Sequence, residues 1–186
     1  VRLLDLTAAY AAFADGGVWH APVSFTSVAD SSGRVVLGSA RAATVATSPQ
    51  VAYLLSDILS DGDARAPGFG YHSVLELDRP AAVKTGTTSD FHDNWTIGYT
   101  PALTVGVWTG NADGRPMQNV SGVSGAAPIW HAVMERALAG MPATPFERPD
   151  GIVSRLVCAP TGLLPGPDCS HPVEEQFSAG TEPAAT

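Results

Sequence analysis

Lys84, Thr85, Gly86 and Thr87 stand together in the run AAVKTGTTSD, residues 81 to 90, and Lys84 is the sole lysine of a chain that carries nine arginines. Read as a strand, the run alternates its side chains, so Thr85 and Thr87 project to one face with two hydroxyls in a row. Gly86 between them leaves the backbone bare, which lets another extended chain approach and pair with the strand edge. Hydroxyls beside a cation suit a carboxylate, and an exposed backbone N–H suits a developing oxyanion. The chemistry these residues can share is peptide binding with acyl transfer. Alone, a lysine at a strand end is as readily a solvated charge, so the surroundings decide.

Other constellations are weaker. His20, His72, His92, His131 and His171 are scattered and make no His-Glu-x-x-His spacing. No Gly-x-Ser-x-Gly elbow is present. His92 follows the run closely and could line a cleft, although its polar neighbours favour a surface loop. Asn94-Trp95-Thr96 and Asn119-Val120-Ser121 fit the glycosylation sequon, a short pattern that carries little weight by itself. Cys158 and Cys169 lie in a Pro/Gly-rich segment and fit a disulfide in an oxidising compartment. A metal site shared with His171 fits them less well, because the spacing is irregular.

The bulk composition excludes several classes. A net charge of −8 and a pI near 4.9 oppose nucleic-acid binding, which needs clustered Lys and Arg. No run approaches the roughly 20 apolar residues of a membrane span. With 45% hydrophobic residues the chain can build a core, and its length suits one domain with or without a tail.

The elements that must position the run can be read from periodicity. LLDLTAAYAAFA, residues 3 to 14, predicts a helix with Leu3, Leu6, Tyr10 and Phe13 on one face, ended by Gly16-Gly17. VWHAPVSFTSV and RVVLGS read as short strands around a turn at Asp30 to Gly33. Ser48 and Pro49 open a second helix, whose buried stripe is expected at Val51, Leu54, Leu55, Ile58 and Leu59, with Gly62 beyond its end. Residues 62 to 80 read as a loop. AAVKTGT is then a strand, and NWTIGYTPALTVGVWTGN a hairpin turning at Thr-Pro-Ala. APIWHAVMERAL is a helix expected to turn Ile129, Val133 and Ala137 inward. From Met141 onward the chain is dense in Pro and Gly and reads as loop. The class is α+β, an antiparallel sheet flanked by helices.

Lys-Thr-Gly is one of three motifs of penicillin-binding proteins and serine β-lactamases, beside a Ser-x-x-Lys and a Ser-x-Asn type element. The run AVKTGTTSDFHDNWTIGYTPALTVGVWTGN resembles the third motif and following hairpin of bifunctional (class A) penicillin-binding proteins, most of all their 1C type. LLDLTAAYAAFADGGVW, GAAPIWHAVM and the tail LVCAPTGLLPGPDC with EEQFSAGTEP resemble further segments of the same proteins, in the same order. The resemblance implies a partial transpeptidase fold over residues 1–140 and a linker or accessory segment over 141–186. It gives Lys84 a place in the hydrogen-bond network around a nucleophilic serine, and it gives Thr85 and Thr87 hydroxyls for a substrate or penicillin carboxylate. The Thr87 N–H becomes an oxyanion donor, and Gly86 keeps the strand edge open. Asp93 and Trp95 are expected to brace the turn and core.

The chain departs from the family pattern in one respect. A Ser-x-x-Lys needs a lysine three residues after a serine, yet the residue three before Lys84 is Ala81, and no Ser-x-Asn is present either. The expectation is a chain that continues upstream of Val1 and does not acylate by itself. The intact protein would be a peptidoglycan DD-transpeptidase with a glycosyltransferase domain and an N-terminal membrane anchor. It would act on D-Ala-D-Ala stem peptides and β-lactams at the periplasmic or extracytoplasmic face of the inner membrane, with other cell-wall synthesis proteins as possible partners. No metal or organic cofactor is implied. Two alternatives stand beside it: a β-lactamase or penicillin-sensing receptor of the same fold, and a non-catalytic peptide-binding module.

Overall fold

A computed structural model describes residues 1–118 and 120–185, so Asn119 of the second sequon lies outside the described residues. The chain runs through α1 (Leu3–Ala14), β1 (Val18–His20), β2 (Ser27–Ala29), β3 (Val35–Gly38), β4 (Ala43–Val45), α2 (Pro49–Ser60) and α3 (Gly62–Phe69). It continues through β5 (Ala82–Thr87), β6 (Asp93–Thr100), β7 (Leu103–Gly110), α4 (Ala126–Leu138), β8 (Ile152–Cys158) and β9 (Pro172–Ser178). Every strand pair is antiparallel, and the class is the α+β one expected.

The central sheet is a meander in the order β5-β6-β7. Its register runs from Ala82 opposite Tyr99 to Thr87 opposite Asn94, and from Asp93 opposite Gly110 to Thr100 opposite Leu103. The turn falls at Pro101-Ala102, as the Thr-Pro-Ala signal predicts. Two glycines fix how helices meet the two faces. A Cβ at Gly98 would lie 2.5 Å from Trp130 Cζ2, so α4 packs its indole directly against one face. A Cβ at Gly106 would lie 2.1 Å from Thr7 Oγ1 and 3.1 Å from Leu3 Cδ1, so α1 presses on the other. Val83, Ala127, Trp130, Met134 and Leu138 form the core on the α4 side. On the α1 side Tyr99 is fully buried and its hydroxyl meets Ser56 Oγ of α2 at 3.0 Å.

Several expectations need correction. In α4 the buried residues are Ala126, Ala127, Trp130, Met134 and Leu138, whereas Ile129, Val133 and Ala137 face outward. The helix carries two apolar stripes at the same spacing, and the stripe with the larger side chains won the sheet contact opposite Gly98. In α2 the buried residues are Ala52 and Ser56, while Val51 and Ile58 are exposed. Small residues let α2 approach Tyr99 closely, and that rotates the predicted stripe toward the helix flanks.

Residues 62–69 form a helix in place of the expected loop. Asp61 Oδ1 accepts from Ala64 N at 2.9 Å and supplies the cap, which offsets poor helix formers such as Gly68 and Pro67. β4 was not foreseen as a strand; it pairs with β1, while the Asp30 turn joins β2 to β3. The tail beyond Met141 is not loop throughout, because β8 and β9 pair from Ile152–Ser178 to Cys158–Pro172. Their connection is closed by a disulfide between Cys158 and Cys169. The capped start of α2 is as predicted: Ser48 Oγ accepts from Val51 N at 3.3 Å, with Pro49 in the first turn.

Candidate active site

β5 pairs with β6 along one side only; among the described residues no strand covers its other edge. Thr88 N donates to Asp93 O at 3.0 Å, and hydrogen-bonded pairs alternate along an antiparallel ladder. Gly86, Lys84 and Ala82 therefore spend their backbone groups on β6, whereas the N–H and C=O of Thr87, Thr85 and Val83 point outward from the open edge. Lys84 Nζ donates to one of those outward carbonyls, Thr85 O, at 2.7 Å. The lone ammonium thus lies along the free edge, with donor capacity to spare.

Thr85 and Thr87 share the sheet face that carries α4, opposite Thr96 and Asn94. The Thr87 hydroxyl is held from behind: Gly122 N donates to Thr87 Oγ1 at 2.9 Å, and Thr96 Oγ1 donates to Gly122 O at 3.1 Å. With an N–H already bound to its oxygen, the Thr87 hydroxyl has its own proton free to give. Asn94 Nδ2 donates to Val120 O at 2.8 Å and fastens the same loop. A Cβ on Gly122 would lie 2.7 Å from Gly86 O and 2.9 Å from Trp95 O, so only glycine fits over that pair.

Lys84 and Gly86 lie on the opposite face, in register with Ile97 and Trp95. A cleft of about 250 Å³ opens beside β5, lined by Ile58, Leu59, Asp61, Arg65, Lys84 and Thr85 among others. Arg65 brings a second cation beside the strand. Its partial burial lowers its pKa, against the opposing pull of Glu76 and Asp61, and its Nη1 donates to Leu59 O at 3.1 Å. A Cβ at Gly86 would meet only Trp95 Cβ at 3.5 Å, an ordinary contact. Nothing within the described fold requires that position to be glycine.

The end of the strand is braced. Trp108 Nε1 donates to Asp93 Oδ1 at 2.8 Å, and Asp93 N donates to Thr88 Oγ1 at 2.8 Å. Asp90 and Phe91 both take a left-handed backbone, with φ of 57°, which turns the chain sharply back into β6. His92 Nδ1 contacts the Gly114 carbonyl and ties two surface loops together, away from the Lys84 cleft. Among the described residues no group of three His, Cys, Asp or Glu side chains is placed to hold a metal ion. Arg65 and Gly122 were not found from sequence: Arg65 sits in a segment that reads as loop, and Gly122 is one glycine among 19.

Residues 148–186 match the family model described as penicillin-binding protein 1A, C-terminal domain. The chain is 34% identical over 193 residues to penicillin-binding protein 2D of Bacillus subtilis, covering 99% of the chain and 27% of that protein. It is 30% identical to penicillin-binding protein 1A of Mycolicibacterium smegmatis, covering 93% of the chain and 23% of the relative. The chain thus spans about a quarter of the length of these relatives. These names are of the 2D and 1A types, whereas the hairpin and tail led one to expect the 1C type. Among solved structures, penicillin-binding protein 1A of Haemophilus influenzae superposes over 100% of this chain and 33% of its own, with a TM-score of 0.84 at 22% identity. The PonA1 protein of Mycobacterium tuberculosis, solved in complex with penicillin V, matches 80% of this chain and 41% of its own at a TM-score of 0.68 and 28% identity.

Proposed function

The chain belongs to the penicillin-binding proteins, in their C-terminal transpeptidase region, and from that premise we propose that it supplies the third-motif half of a peptidoglycan DD-transpeptidase. The observation that carries the proposal is the open edge of β5, where Lys84, the outward Thr85 and Thr87 backbone groups and a sterically unconstrained Gly86 lie together. A D-Ala-D-Ala stem peptide lies extended along that edge and pairs with it as an added strand. The nucleophile is a serine of a Ser-x-x-Lys element that the 186 residues do not contain.

The serine oxygen attacks the penultimate carbonyl as its proton passes into the lysine-containing network that Lys84 completes. The tetrahedral oxyanion accepts the Thr87 N–H as one donor. When the intermediate collapses, the peptide C–N bond breaks, D-alanine leaves with a proton on its amine, and an ester remains on the serine. An amine from a neighbouring stem peptide then attacks that ester, forms the cross-link and returns the serine its proton. Lys84 and the Thr85 and Thr87 hydroxyls hold the terminal carboxylate of the donor peptide. In a β-lactam they hold the carboxylate of the fused ring, and ring opening replaces the loss of D-alanine. The complex of PonA1 with penicillin V supports β-lactam binding as such.

The transpeptidase part ends near Met141 and an accessory segment follows, supported by the family-model match at 148–186 and the separate β8-β9 sheet. The whole protein carries a glycosyltransferase domain and a membrane anchor, and works on the extracytoplasmic face of the inner membrane. No described helix is long and apolar enough to cross a membrane.

The test is covalent labelling of the whole protein with a fluorescent penicillin, followed by mapping of the labelled peptide. Label on a serine outside these 186 residues, slowed at least tenfold in Lys84→Ala, is the expected result. A folded whole protein that takes no label, or takes it equally in Lys84→Ala, overturns the assignment.

A further inference from the structure

At the other end of the central sheet, a second cleft of about 470 Å³ lies where the end of α1, the start of α2, the β6–β7 turn and residues 144–149 converge. It is well separated from the candidate active edge. Tyr99, beside this cleft, is opposite Ala82, five strand positions from Thr87, a span of roughly 17 Å at strand rise. The proposed transpeptidase chemistry makes no use of it.

Its walls are aromatic and proline-rich. Phe13, Tyr53 and Phe146 present rings, and Pro49 and Pro145 stand between them. Two of the rings are held in place from behind: Phe146 meets Tyr99 edge-on at 5.7 Å, Phe13 meets Tyr10 edge-on at 5.9 Å, and Tyr10 meets Tyr99 at 6.3 Å. Such walls lose little freedom when something binds.

The charges in the cleft are of one sign. Asp15 and Glu147 line it, and no lysine or arginine does. Asp15 bonds His20 Nε2 at 2.7 Å, and Glu147 has no ion-pair partner among the described residues. Arg148 is not among the lining residues; it acts electrostatically on Tyr53 and Asp57, and its guanidinium donates to Ile152 O at 2.9 Å. The C-terminal end of α1 at Ala14 and Asp15 adds the negative end of a helix dipole, while the opposing start of α2 is capped by Ser48.

We infer that this cleft docks a proline-containing peptide segment that carries a basic side chain. Rings and prolines in an open trough suit a polyproline II segment, whose backbone needs no strand edge to pair with. None is offered here, because the cleft is formed by helix ends, a turn and an irregular segment. A guanidinium or ammonium among Glu147, Asp15 and the ring faces gains both ion pairing and cation–π attraction. A binder of the opposite sign would meet two carboxylates.

The probe is the pentapeptide acetyl-Pro-Pro-Arg-Pro-Pro-amide carrying a fluorophore, titrated into the whole protein and followed by anisotropy at low and moderate salt. Saturable binding is expected, weakened at least tenfold when citrulline, which is isosteric and neutral, replaces the arginine. Glu147→Gln should weaken it comparably and Tyr53→Ala further, with penicillin labelling unchanged in Glu147→Gln. Should Tyr53→Ala fail to fold, Glu147→Gln and the citrulline peptide decide by themselves. Absence of saturable binding, or binding indifferent to both Glu147→Gln and citrulline, overturns the inference. Equal affinity for N-acetylarginine amide also overturns it, since that assigns the cleft to a small organic cation. Because labelling at the serine is read in the same samples, failure here is separable from failure of the transpeptidase assignment.

Discussion

Gly86→Ala separates what the fold needs from what a ligand needs. The methyl would project from the Lys84 face of β5 and meet only Trp95 Cβ at 3.5 Å, and Gly86 is not among the glycines with positive φ. Folding therefore meets no clash. Replacing glycine where the backbone suits alanine stabilises by about 0.4–1 kcal/mol through the unfolded chain. The unfolding free energy of the whole protein should stay level or rise by that amount in urea titration.

Acylation should respond in the opposite direction. A peptide or β-lactam paired along the edge must come within van der Waals distance of Cα, where the methyl now stands. Overpacking of that kind costs roughly 1–3 kcal/mol. Placed on the transition state, that range predicts acylation by a fluorescent penicillin about 5- to 150-fold slower. Gly98→Ala is the contrasting control. Its methyl would lie 2.5 Å from Trp130 and 2.9 Å from Ala82 O, so it should lose stability outright. Wild-type acylation in a folded Gly86→Ala protein would refute a ligand on this edge, and a marked drop in its stability would refute the steric argument.

Gly122→Ala should destabilise by about 1–3 kcal/mol, because its methyl meets two backbone oxygens at 2.7 and 2.9 Å, and should slow acylation as the Gly122 N–H leaves Thr87; thermal melts and penicillin labelling measure both. Cys158→Ser opens the short loop between β8 and β9, which in the chain-entropy account costs roughly 2–3 kcal/mol locally. Hydrogen exchange should rise across residues 152–178 while labelling persists; labelling lost with the exchange would argue that the tail is integral to the site. Asp57 sits in the last turn of α2, where burial first and Asp61 second raise its carboxyl pKa, with Arg148 opposing. Its charged form therefore opposes folding as pH rises above the ordinary carboxylate value of 3.8, so Asp57→Asn should melt higher at pH 7, with the advantage vanishing below that value.

The parts of the fold legible in the sequence are those whose signals are local. Ser48 and Pro49 mark the start of α2 by themselves, and the alternation of residues 95–109 with a proline turn specifies the β6–β7 hairpin. What was misread depends on partners distant in sequence. Trp130 and Ile129 start equally apolar stripes on α4, and the choice between them is made by the missing Cβ of Gly98 some thirty residues earlier. Ala52 and Ser56 look unremarkable until Tyr99 is brought against them. β8 and β9 each lack clean alternation and find one another across a Pro/Gly-rich connection that the disulfide closes. In the candidate site, the motif residues could be named because strand alternation assigns their faces. Arg65 and Gly122 could not, since nothing near them in sequence points to β5.

The same contrast explains why two neighbouring glycines of the site do different things. Gly122 is there because the fold has no room for a side chain, and its backbone is committed on both sides, to Thr87 Oγ1 and from Thr96 Oγ1. Gly86 stands where the fold does have room for a side chain, so packing within the described chain does not call for glycine there. Between them stands Thr87, whose hydroxyl oxygen is occupied from behind and whose proton and backbone N–H are not. Lys84 adds an ammonium that spends one proton on Thr85 O. Along this stretch the edge offers O–H, N–H and ammonium groups, which fit an incoming carboxylate and a carbonyl on its way to an oxyanion. A strand meant only to be solvated has no need to hold its hydroxyl from behind. A strand meant to be covered by another strand of the fold would have its outward carbonyl paired, leaving none for Lys84.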